Sequence, residues 1–230
     1  LQALPSAAAA WEQLIAASED SAPDLDEPAA AEYISPLIQS TWGQGFQPLI
    51  PGNDCCYISG CSYLTGEYNI YCPWEYTDWL HGCKDYCPTG CVATAMAQIM
   101  KYWQWPPFGF GNHGYDPPYS CSHECSGFGW REVDFAAQSY NWSNSSMPLN
   151  DPSDAIARLM RDIGIAVEMD YTPSSSGASS GDAFYAFHDY FRYRVGRVDW
   201  KDDYSMADWK IELLAELTAG RPIWYRGGNA

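Results

Sequence analysis

A chain of 230 residues with 47% hydrophobic content can bury a sizeable core, as one large domain or two small ones. Its 29 acidic against 12 basic residues give a formal charge of −17, which argues against nucleic acid or an anionic membrane surface as a partner. No run of about 18 apolar residues offers a bilayer span, and the opening Leu1-Gln2-Ala3-Leu4-Pro5 lacks the basic region of a signal peptide, as expected of a processed product.

In chain order, residues 1–32 read as an arm. A short helix-like stretch from Ala7 to Ala17, around Trp11, Leu14 and Ile15, passes into an acidic, Pro-containing linker from Ser18 to Pro28. Residues 33–230 read as the main domain. It opens with Pro36-Leu37-Ile38-Gln39-Ser40-Thr41-Trp42-Gly43-Gln44-Gly45 and continues into a cysteine-dense segment, 53–88.

Next comes Gly90-Cys91-Val92-Ala93-Thr94-Ala95-Met96-Ala97-Gln98-Ile99-Met100-Lys101-Tyr102-Trp103. Pro88 and Gly90 break the chain, and almost every residue after Cys91 is small or apolar, so a buried helix is expected whose N-terminus opens onto a cleft. The unpaired N–H groups at such an end are a common setting for a nucleophilic thiol. The cysteine count points the same way. Nine cysteines are present, at 55, 56, 61, 72, 83, 87, 91, 121 and 125. In an oxidising compartment eight can pair and one is left over, with Cys91 as the expected free thiol. A zinc cluster drawing on His81, His113 and His123 is the competing reading, but the spacings are irregular and lack paired CxxC knuckles, so no metal and no cofactor is expected. Few lysines together with 11 Trp and 17 Tyr suit a secreted, extracellular protein.

From 106 to 150 the chain is rich in Gly, Pro, Tyr and Ser and reads as long loops stapled by Cys121 and Cys125. Asp151 as cap and Pro152 at the first helical position start a helix that buries Ile156, Leu159, Met160 and Ile163 and ends at Gly164. Ile165 to Tyr171 alternates as a strand, and Asp182 to Tyr190 reads as a helix. Ser205 with Asp208 opens another helix that stops at Gly220, followed by a strand from Pro222 to Arg226. The class expected from this order is α+β.

Several blocks, taken together, resemble the streptopain family of papain-like cysteine peptidases. They are Trp42-Gly43-Gln44, Gly90 to Tyr102, Tyr140-Asn141-Trp142, Leu159 to Tyr171, Pro173 to Ser179, and Arg221-Pro222-Ile223-Trp224-Tyr225-Arg226-Gly227-Gly228. The resemblance implies a papain-like fold in which Cys91 attacks a peptide carbonyl and becomes acylated. Gln44 would stabilise the oxyanion together with the backbone N–H of Cys91. The loop carrying Ser175, Ser176, Gly177 and Ala178 would line the subsite that accepts an apolar P2 side chain. Residues 53–88 would be a disulfide-rich insertion between Gln44 and Cys91, and residues 1–32 the tail of a prosegment, a linker or an arm docking on a neighbour.

Such chemistry also needs a histidine. The family places it shortly after the strand that matches Pro222 to Arg226, and none of His81, His113, His123 and His188 occupies that position. The expectation is therefore a companion C-terminal chain that supplies the His, an Asn and the remaining sheet strands, residues 1–230 alone being inert. Two function classes compete: a secreted endopeptidase acting on protein or peptide substrates, and a catalytically inactive peptidase-like scaffold used as an extracellular binding or filament module. A homo-oligomer is left open.

Overall fold

A computed structural model of the chain describes residues 34–44, 67–78, 83–119, 125–173, 175–194 and 198–227. The helix-like stretch at Ala7–Ala17, the acidic linker, and Cys55, Cys56, Cys61, His81, Cys121 and His123 lie outside the described residues. The chain divides into two units, residues 1–35 and 36–230, and every element below belongs to the second.

The elements follow in chain order: a 3-10 turn at Glu67–Asn69, β1 (Trp74–Asp78), β2 (Cys83–Tyr86), α1 (Cys91–Trp103), β3 (Asn112–Tyr115), β4 (Cys125–Ser126), β5 (Arg131–Asp134), a 3-10 turn at Phe135–Ala137, α2 (Asp154–Ala166), β6 (Asp170–Tyr171), β7 (Ser176–Gly177), α3 (Ser180–Asp189), a 3-10 turn at Lys201–Asp203 and α4 (Met206–Thr218). The strands form three small antiparallel sheets, ordered β2-β1-β4, β3-β5 and β6-β7.

The core is built on α1 and α2, which pack against each other and against α3. Met96, Met100, Ile156, Met160 and Ile163 are fully buried at 0% exposure. Cutting any of them to Ala is worth about 2–5 kcal/mol. Two charged groups among the described residues enter this interior with partners. The Lys101 ammonium donates to the Trp142 carbonyl (2.6 Å) and to Asn144 Oδ1 (3.0 Å). The Asp162 carboxylate accepts from Arg161 Nε (2.9 Å) and from the Tyr140 hydroxyl (3.1 Å).

Several expectations need correcting. Ser153, not Asp151, caps α2, its hydroxyl accepting from the Ile156 N–H at 3.3 Å. Gly164 does not end that helix, which continues to Ala166. It lies where the Tyr171 hydroxyl presses against the helix, in space that a Cβ would occupy. The stretch Ile165–Tyr171 is consequently not one strand. It is a helix end, a turn with Glu168 at φ 48, and the two strand residues of β6. Pro222–Arg226 is not hydrogen-bonded into a sheet among the described residues. Within the 53–88 segment, Tyr68, Cys72 and Cys87 belong to the hydrophobic core. The capping box of α4 is present: the Ser205 hydroxyl accepts from the Asp208 N–H at 3.1 Å and donates to its carboxylate at 2.7 Å.

Candidate active site

Cys91 is the first residue of α1 and is exposed, whereas Val92, Ala93 and Thr94 after it are buried. The thiol therefore stands at the end of a helix anchored in the core. The turn that delivers it needs glycine: Gly90 has φ +89, and a Cβ there would lie 2.7 Å from the Met169 thioether and 3.2 Å from the Ser176 carbonyl oxygen. Threonines fix the turn from within. The Gly90 carbonyl accepts from the Thr94 N–H (3.1 Å) and the Thr94 hydroxyl (3.0 Å), and the buried Thr89 and Thr94 hydroxyls lie 3.2 Å apart. The N–H groups of the first helical turn, Cys91's among them, have no partner within a helix and are available to an anion.

Gln44 is half-buried at the end of a strap running from Ser40. Ser40 Oγ donates to Gln98 Oε1 on α1 (3.2 Å), the Thr41 N–H to the Leu149 carbonyl (2.9 Å), and Trp42 Nε1 to the Pro148 carbonyl (2.7 Å). The strap is thus held between α1 and the loop that precedes α2. Its last residue is tied to the nucleophile's turn by Asn69, which is fully buried. Asn69 Nδ2 donates to the Gln44 carbonyl at 2.6 Å, and Asn69 Oδ1 accepts from the Thr89 N–H at 3.0 Å.

The four residues expected to contact substrate lie on or beside β7. Tyr171 pairs with Ser176 and Asp170 with Gly177. The hairpin is closed by the Thr172 hydroxyl, which donates to the Ser175 carbonyl (2.6 Å) and accepts from the Ser175 N–H (3.0 Å). Ser175 and Gly177 are exposed, Ser176 is half-buried, and Ala178 packs against the core. The Ser176 carbonyl abuts Gly90, so the hairpin flanks the Cys91 turn. The structure brings Cys91, Gln44 and Ser176 to one locality. Asn69, Thr89, Thr94 and Met169, which hold them there, were not singled out from sequence.

The cysteine arithmetic fails in one respect: Cys91 is not the lone free thiol. Cys72 and Cys87 are also free, both buried, while Cys125 is disulfide-bonded. Burial pushes the Cys72 thiol up to about 12 and moves Cys87 in the same direction. Of the described histidines, His113 lies 3.0 Å from a Glu168 carboxylate oxygen beside the Tyr190 ring, and His188 lies 2.6 Å from Asp189 on α3. Among the described residues no three His, Cys, Asp or Glu side chains are grouped to hold a metal ion. No helix among them is long and apolar enough to cross a membrane.

Streptopain of Streptococcus pyogenes is 38% identical over 149 residues, 60% of this chain and 36% of streptopain. The thiol protease/hemagglutinin PrtT of Porphyromonas gingivalis is 32% identical over 151 residues, 61% of this chain and 16% of that protein. The chain thus spans about a third of the length of the streptopains it matches. Among solved structures, active wild-type interpain A cysteine protease of Prevotella intermedia aligns with a TM-score of 0.58 and 25% identity, over 82% of this chain and 67% of that one. A fragment of prointerpain A from the same organism aligns with a TM-score of 0.63 and 23% identity, over 95% of this chain and 66% of the fragment. The fold is papain-like, of mixed helix and sheet. With residues 65–230 matching the model of the Peptidase C10 family, the chain belongs to that family of cysteine peptidases.

Proposed function

We propose that this chain carries the nucleophilic half of a secreted cysteine endopeptidase. The observation that carries the reading is the placement of an exposed Cys91 at the start of a buried helix, with the Gln44 strap linked to its turn through Asn69 and the Ser176 hairpin against Gly90. Cys91 Sγ attacks the scissile carbonyl carbon, and the oxyanion is held by the Cys91 N–H and the Gln44 side-chain amide. The C–N bond then breaks, the amine leaves with a proton from an imidazolium, and a thioester remains. Water, deprotonated by the same imidazole, hydrolyses the thioester to a carboxylate and restores the thiol. Ser175, Ser176, Gly177 and Ala178 frame the site for an apolar P2 side chain.

The imidazole belongs to polypeptide outside residues 1–230, either continuous with them or a separate chain. Two observations support this: both described histidines are engaged elsewhere, and the matched relatives are considerably longer. Secretion is supported by the disulfide at Cys125 and the low lysine content.

The test is hydrolysis of fluorogenic peptides with Leu or Phe at P2 by the complete protein, followed by titration with a peptidyl epoxide. The expected result is loss of all activity at one equivalent, with the label on Cys91 and no activity in Cys91→Ala. An epoxide label on Cys91 without turnover of any peptide would instead favour the scaffold reading, to which the engagement of His113 and His188 already lends weight.

A further inference from the structure

We propose that Asn69 is a positioning residue of the active site: it sets the distance between Gln44 and the Cys91 turn, and so holds the oxyanion site in register. The inference rests on the peptidase reading but concerns a residue that the reading does not include.

Gln44 and Cys91 are far apart in sequence, and among the described residues neither regular secondary structure nor a sheet ladder joins the strap to the turn. An oxyanion site needs its two donors fixed relative to each other to within a fraction of an ångström, because their value lies in being aimed before charge develops. Ser40, Thr41 and Trp42 anchor the strap to Gln98, Leu149 and Pro148, none of them a residue of the thiol turn itself. Among the described residues, the Asn69 side chain links Gln44 itself to that turn.

The Asn69 carboxamide uses its two ends on two backbones. The donor end reaches the Gln44 carbonyl (2.6 Å), and the acceptor end takes the Thr89 N–H (3.0 Å), two residues before the nucleophile. Asn69 and Thr89 are both 0% exposed, so water cannot substitute for either bond. On the Thr89 side the turn is already rigid through Thr94 and Gly90. A planar group with a donor and an acceptor at fixed separation is suited to this task. Aspartate lacks the donor, and serine is too short to span both backbones.

The proposal is tested in the complete protein with Asn69→Asp, which keeps shape and the acceptor, and Asn69→Ser, which keeps one bond at most. Thioester formation is measured with a peptide ester, hemithioacetal formation with a peptidyl aldehyde, and direct alkylation of Cys91 with iodoacetamide, a displacement that builds no oxyanion. Both variants are expected to acylate and to bind aldehyde about 10–100-fold more weakly, with KM little changed and iodoacetamide alkylation within about twofold of wild type. Adding Gln44→Ala to either variant should cost little further, because the amide is already misplaced.

Wild-type acylation in both variants, or parallel losses in acylation and alkylation, would overturn the proposal, as would losses that multiply with Gln44→Ala. Amide exchange provides a readout independent of chemistry. The segments 41–44 and 89–90 should exchange faster in the variants while α2 is unchanged, and unchanged exchange in both segments also overturns the proposal. If wild type itself forms no thioester, the peptidase reading falls, and the exchange measurement alone decides the role of Asn69.

Discussion

Gly90 is the residue on which two requirements meet. Its φ of +89 with ψ of 145 belongs to a backbone region that side chains rarely enter, and its missing Cβ leaves room for the Met169 thioether and the Ser176 carbonyl. Gly90→Ala is expected to destabilise the fold by about 1–3 kcal/mol in urea unfolding. It should also lower acylation more than it lowers stability, since the relaxation moves the hairpin away from the thiol. Free cysteines give a second prediction at this scale. Cys91 is exposed, whereas burial lifts the Cys72 thiol to about 12 and raises that of Cys87 too. Iodoacetamide near neutral pH should therefore modify Cys91 and leave Cys72 and Cys87 unlabelled until the protein is denatured, as peptide mapping would show. Labelling of Cys72 or Cys87 in native protein at a rate comparable to Cys91 would contradict the burial of that pair. Sequence made the nucleophile legible because a Gly-Cys step ahead of an apolar helix is a local pattern. Asn69 left no such trace. Its partners come from segments joined to it by long stretches of chain, and a buried asparagine looks in sequence like any other turn residue.

At the scale of elements, α2 shows both what periodicity reveals and what it hides. The buried positions Ile156, Leu159, Met160 and Ile163 follow helical spacing and were readable. The end of the helix was not, since glycine there signals either a stop or a close approach, and only the tertiary contact with Tyr171 decides between them. The alternation of Ile165 to Tyr171 misled for the same reason: Ile165, Ala166 and Val167 are buried in succession at the helix end, and alternate burial from Val167 to Tyr171 runs through a left-handed Glu168 into a two-residue strand without forming one strand.

The same helix carries Asp162, only 1% exposed between Arg161 and Tyr140. Burial raises its carboxyl above the ordinary 3.8, while Arg161 and the Tyr140 hydroxyl pull it back. A folded pKa above the unfolded one means that the native state binds the proton more tightly. The carboxyl's contribution to stability is accordingly greatest below the ordinary carboxylate range and is lost as pH rises through the raised folded value. Asp162→Asn lacks this titration. The stability of wild type relative to the variant should fall as pH rises above the ordinary carboxylate range in urea unfolding, and a pH-independent difference would show that the carboxyl is not shifted upward.

Across the whole molecule, burial is uneven. The helices α1 and α2 are embedded in the core, but α4 buries only Trp209, which packs between Tyr204 and Tyr225. Met206, Ile211 and Leu214 on α4, with Trp200 before it, are exposed at 56%, 62%, 48% and 69%. So many large apolar side chains on one small region are unusual for a finished surface. Their exposure fits the proposal that further polypeptide, the part bearing the imidazole, packs near this helix. Sequence could mark α4 through its capping box but could not say which of its faces would be covered, because its apolar residues do not fall on a single stripe. In the complete protein, amides of α4 are expected to exchange at least about tenfold more slowly than in residues 1–230 alone, while α2 exchanges at similar rates in both. Equal exchange in α4 would place the proposed imidazole-bearing polypeptide elsewhere and leave these side chains to a different contact. Slower exchange in α4, without any gain in Cys91 acylation, would separate the packing of that polypeptide from the delivery of its imidazole to the thiol.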